Sequence, residues 1–107
     1  MEIKEVAQKI CDAYNTSKPI YGNKAEIYGN TTPIKADYEK VYKALCWLRE
    51  NEYNVYAKIE TFVATDNIIA IYELTECIKD ILPDEYSLEA NMLKLSLIAI
   101  LLCRKNQ

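Results

Sequence analysis

At 107 residues, half of them hydrophobic, the chain has the size of one domain and enough apolar material for one core. Two glycines and three prolines are too few for the many turns of a sandwich or barrel, and two glycines rule out a Gly-rich nucleotide loop. A net charge of −3 argues against a phosphate-gripping surface, and the absence of histidine removes the commonest general base and metal ligand near neutral pH.

In residues 3–14, Ile3, Val6, Ala7, Ile10, Cys11 and Tyr14 recur at three- and four-residue steps, one stripe of an amphipathic helix. Glu2 and Glu5 suit the positive end of its dipole. The pattern breaks over residues 15–35, which hold both glycines, Pro19 and Pro33. A short repeat falls there: Ile20-Tyr21-Gly22-Asn23, then Ile27-Tyr28-Gly29-Asn30. Two alternatives stand for it. One is a β-hairpin turning at Gly22-Asn23, with strands within 18–28. The other, slightly favoured because two short strands alone are barely stable, is a long ordered loop pinned by its tyrosines.

Thr32-Pro33 reads as an N-cap followed by proline at the first helical position. The next stripe is Tyr38, Val41, Tyr42, Leu45 and Leu48, continued nearly in phase by Val55, Tyr56, Ile59, Phe62 and Val63. Residues 36–64 are thus one long helix, or two joined near residues 51–54. The second half also alternates as a strand would, through Tyr53, Val55, Ala57, Ile59, Thr61 and Val63, but the preserved phase favours helix. Thr65 or Asp66 suits the cap of a further helix that Pro83 stops. Its expected buried stripe is Ile68, Ile71, Tyr72, Thr75, Ile78, Ile81 and Leu82. Ser87 is the expected cap of a last helix near 85–104, amphipathic at first through Leu88, Met92 and Leu95, then apolar on every face over residues 97–103. A helix apolar all round belongs at the centre of a core. The expected fold is all-α: a compact bundle of four to five helices, one domain over residues 1–107. Its long irregular segment at about 15–35 leaves room for a small β-hairpin.

The four cysteines, Cys11, Cys46, Cys77 and Cys103, are far apart and inside expected helices, with no C-x-x-C pair. They read as reduced, buried thiols that pack as small hydrophobes. The first residues show no charged-then-apolar leader, and the longest apolar run is seven residues against roughly 20 for a membrane span. A cytoplasmic protein without membrane contact is expected. Walker-type, G-x-G-x-x-G and calcium-loop patterns are absent, so neither cofactor nor metal is expected, and no catalytic residue is assigned. Carboxylates such as Asp84 and Glu85 are explained more simply by a helix start.

Charge is unevenly spread. Residues 60–93 hold eight acidic residues and one basic residue, Lys79, a local excess of seven negative charges. Glu73, Glu76 and Asp80 fall at steps of three and four and share one helix face. That face is either a solvated surface that aids solubility or a surface for a basic partner. The nine tyrosines are the second lead. Tyr14, Tyr42 and Tyr72 lie on core stripes, whereas Tyr21 and Tyr28 lie in the irregular segment, where they either staple the loop or present it for recognition.

The expected function is a non-enzymatic protein–protein interaction, as an inhibitor or adaptor that binds a basic surface of a partner protein without binding nucleic acid itself. Glu73, Glu76, Asp80, Asp84, Glu85, Tyr21 and Tyr28 are its candidate contact residues. Small acidic inhibitors of phages and mobile elements, anti-CRISPR proteins among them, offer an analogy of type, with no motif matched residue by residue. The alternative is a structural subunit or homodimer that associates through the apolar end of the last helix.

Overall fold

Apolar residues at helical spacing need a common core, and five α-helices among the described residues supply it. The computed structural model describes residues 1–21, 35–65, 71 and 73–105, of which 17–21 and 102–105 are described by their backbone alone. In chain order the helices are α1 (Ile3–Tyr21), α2 (Tyr38–Asn51), α3 (Tyr53–Thr65), α4 (Leu74–Ile81) and α5 (Ser87–Lys105), with a 3₁₀ turn, Asp84–Tyr86, before α5. The Cα radius of gyration is 12.6 Å, close to the roughly 13 Å of a compact 100-residue domain. The all-α bundle expected from the periodicity is the fold observed.

The α1 stripe is buried as read: Ile3, Val6, Ala7, Ile10, Cys11 and Tyr14 face inward. The helix does not end at residue 14, however. Its backbone stays helical to Tyr21, past Pro19, so the irregular segment opens later than expected and residues 18–21 are not a strand. Pro19 has no N–H to donate to the Asn15 carbonyl, so the last turn of α1 forms one backbone hydrogen bond short. The rest of the repeat, with Gly22-Asn23 and Tyr28, lies outside the described residues, as do Thr32 and Pro33. The cap of α2 is instead Asp37, in extended conformation, whose Oδ1 accepts the Lys40 N–H at 3.3 Å. Its other oxygen meets Lys40 Nζ at 2.7 Å. Asn15 ties α1 to this junction, its Oδ1 accepting the Ala36 N–H at 3.0 Å.

Residues 36–64 form two helices, not one and not a strand. Glu52 leaves helical geometry (φ −140°, ψ 66°) while its N–H still donates to the Leu48 carbonyl at 2.7 Å. Its own carbonyl then accepts the Val55 and Tyr56 N–H groups and starts α3. Asn51 assists the break: its side-chain amide donates to the Trp47 carbonyl at 3.0 Å, the local competition that makes Asn a poor interior helix residue. In α3 the buried residues are Tyr56, Ile59 and Phe62, a three-residue step, while Tyr53 is 59% exposed. A strand would have buried every second residue.

Thr65 is the last residue of α3, its hydroxyl donating to the Thr61 carbonyl at 2.7 Å, and the residues it was expected to cap lie outside the described ones. Asp66, Ile68 and Tyr72 lie outside the described residues. Ile71, Leu74, Thr75, Ile78 and Leu82 are buried, and Ile81 is half-buried. Leu82 is extended (ψ 149°) ahead of Pro83, which ends α4 as expected. Ser87 is not a cap: it is already helical (φ −60°, ψ −38°), preceded by the 3₁₀ turn in which Tyr86 N–H donates to the Pro83 carbonyl. Of the expected α5 stripe, Met92 is buried, Leu95 is half-buried and Leu88 is 67% exposed, while Ala90, Leu93, Ser96 and Leu97 are buried alongside Met92. Ser96 is tolerated there because its hydroxyl donates to the Met92 carbonyl at 2.8 Å.

The central position of α5 is as expected, since it packs against α1, α2 and α4. Leu97, Ile100 and Leu101 of its apolar end are buried within the chain itself. Among the described residues no helix is long and apolar enough to cross a membrane.

Candidate interaction surface

On α4 the burial of Leu74, Thr75, Ile78 and Leu82 fixes the orientation of every other residue. At 3.6 residues per turn, Glu73, Glu76 and Asp80 fall within about 60° of one another, on the side opposite that buried face. All three are exposed. The chain then turns through Pro83 into the 3₁₀ turn, where Asp84 and Glu85 are exposed as well. None of these five carboxylates forms an ion pair with a described residue. The structure therefore presents the five acidic candidates outward along α4 and the turn that follows it. Tyr21 is placed at the end of α1 by its backbone alone, and Tyr28 lies outside the described residues.

Two clefts flank the start of α5. The larger, of 480 Å³, is lined by Lys43, Cys46, Trp47 and Glu50 from α2, Glu85 and Tyr86 from the 3₁₀ turn, and Glu89 from α5. The Trp47 and Tyr86 rings form one side, with centroids 6.3 Å apart and planes inclined at 47°. Glu85 was expected from the sequence as a contact residue, whereas its neighbours in this cleft were not. Trp47 and Glu50 lie 38 and 35 positions before it, and only the packing of α2 on α5 brings them together. The smaller cleft, of 290 Å³, lies between Lys35, Asp37 and Lys40 on one side and Leu88, Asn91, Met92 and Leu95 on the other.

A flank of α2, half-buried against the core, carries two further rings. Tyr38 and Tyr42 stack at 5.9 Å with planes 12° apart. A hydrogen bond with the Cys46 thiol, then the nearby charge of that group, holds the Tyr42 phenol above its ordinary pKa. Tyr42 is half-buried rather than a full core residue. The thiols also divide. Cys11 is buried, and burial first, then the Asp12 and Asp37 charges, pushes its pKa up to about 11. Cys46 is half-buried and Cys77 is exposed, so the expectation of uniformly buried thiols holds for Cys11 but not for these two. Cys77 Sγ lies 3.6 Å from the Leu74 carbonyl and 3.7 Å from that of Glu73, a contact within its own helix turn. The Cys103 side chain lies outside the described residues. Among the described residues, no three His, Cys, Asp or Glu side chains converge as a metal-binding group.

No protein-family model, no curated protein and no solved structure matches this chain.

Proposed function

We propose that this protein is a non-enzymatic inhibitor or adaptor that binds a basic surface of another protein through the acidic side of α4 and the 3₁₀ turn. The observation that carries this reading is the outward presentation of Glu73, Glu76, Asp80, Asp84 and Glu85, none of them in an ion pair with a described residue. Like charges one helical turn apart oppose helix formation. A surface that keeps them gains long-range attraction for a positive partner and faster encounter. Where the partner grips nucleic acid, such a surface competes with phosphates for its Lys and Arg side chains. A small inhibitor of the phage or mobile-element type works on this chemistry and needs no catalytic group.

The test is capture from the native host at low ionic strength, followed by a salt titration. The wild-type chain should retain a basic protein that roughly 0.5 M salt releases, as expected when charges are screened within a few ångströms. Glu73→Lys/Glu76→Lys/Asp80→Lys should not retain it. Equal retention by that triple variant, or binding indifferent to salt, refutes the proposal.

A further inference from the structure

The cleft between α2 and the start of α5 has a composition that selects its occupant. Its lining carries three carboxylates, Glu50, Glu85 and Glu89, against one ammonium, Lys43. None of these four forms an ion pair with a described residue. Beside them stand two half-buried rings, Trp47 and Tyr86, 6.3 Å apart and inclined. The 480 Å³ volume falls among ligand-sized clefts, which run from about 300 to 1,000 Å³.

We infer that this cleft receives an arginine side chain of the partner protein, with its guanidinium on the Trp47–Tyr86 wall and its N–H groups turned to Glu85 and Glu89. This inference rests on the acidic-surface reading above and names the group that reading would anchor. An aromatic face attracts a cation lying within about 6 Å of its centroid, and tryptophan does so best. Guanidinium is planar, stacks on rings and is weakly hydrated, so it leaves water more readily than an ammonium does. Its fork also matches a carboxylate at two points, which a lysine cannot do. The excess of negative charge in the lining disfavours an anion or a neutral apolar plug. Glu85 belongs both to the cleft and to the acidic surface, so one arginine seated here brings neighbouring basic residues towards α4.

Trp47 is the only tryptophan in the chain, so its emission reports directly on the cleft. The probes are a short glycine-flanked arginine peptide and its citrulline counterpart, a neutral isostere, titrated into the full chain. The arginine peptide should change Trp47 emission saturably, with the citrulline peptide at least tenfold weaker. Glu85→Gln/Glu89→Gln should weaken arginine binding at least tenfold. Glu73→Gln/Glu76→Gln/Asp80→Gln should leave peptide binding unchanged while weakening capture of a basic protein. That contrast separates failure of the cleft from failure of the broader surface. Equal response to both peptides in the wild-type chain overturns the inference without any variant having to fold. So does wild-type affinity in Glu85→Gln/Glu89→Gln, or an emission that arginine does not move.

Discussion

Asp80→Lys should make the protein more stable while making it a poorer binder. Asp80 is exposed in the last turn of α4, one turn after Glu76. The like-charge pair they form is destabilising by roughly 0.2–0.5 kcal/mol, and a lysine at the later position turns it into an attraction of similar size in the favourable Glu-before-Lys order. The negative charge also sits at the negative end of the helix dipole, where a cation is stabilising by roughly 0.3–1 kcal/mol. Discounted for solvent screening of exposed groups, the gain is about 1 kcal/mol, which for a chain of this size raises Tm by roughly 4–8 °C. Asp80→Asn, which removes the repulsion without adding the attraction, should give about half of that gain. Urea denaturation followed by far-UV circular dichroism reads the difference at low salt. A repeat in about 1 M NaCl, where the Debye length is ~3 Å, should largely erase it. The reasoning fails if Asp80→Lys is no more stable than the parent at low salt, or if its gain persists at high salt. A gain in stability joined to a loss of capture means that Asp80 is retained for association, since stability alone selects against it.

Leu97→Ala, which empties a fully buried position in α5, should destabilise the fold by about 3 kcal/mol. Its Tm should not vary with protein concentration; a concentration-dependent Tm would instead show a homo-oligomer. Asp37→Ala removes the cap of α2 and should cost about 1 kcal/mol by thermal or urea unfolding at pH 7. The Asp37 carboxyl is held below its ordinary pKa of 3.8, first by its hydrogen bond to the Lys40 side chain. Its contribution is therefore fully present above pH 3.8 and is lost as pH falls through the depressed value. The wild-type advantage over Asp37→Ala should shrink only in that acid range, and an advantage unchanged to pH 2 contradicts the cap assignment. In native protein at pH 8, iodoacetamide should label the exposed Cys77 and spare Cys11, whose thiol titrates near 11. Mass spectrometry of the digested protein checks this, and rapid labelling of Cys11 would show that its helix opens easily.

Much of the architecture was legible because helices repeat every 3.6 residues and apolar side chains must share one face. The α1 stripe became core, as did Val41, Leu45 and Leu48 of α2, and Pro83 stopped α4, since a residue before proline is driven out of helical conformation. Helix ends were less legible. Asp37 and not Thr32 caps α2, and Ser87 is preceded by a 3₁₀ turn, because capping depends on which backbone N–H groups the surrounding packing leaves open. The buried face of α5 also differs, with Leu88 exposed where periodicity alone had buried it, because the packing against α1, α2 and α4 chooses which face turns inward.

By itself the sequence determined the helical class, the absence of histidine chemistry and the acidic side of α4, each a matter of composition or local spacing. Tertiary structure decided the break at Glu52 and the cleft that joins Trp47 to Tyr86 and Glu50 to Glu85. Those groups belong to segments more than thirty positions apart, and their meeting follows from how α2 packs on α5, which no local periodicity encodes.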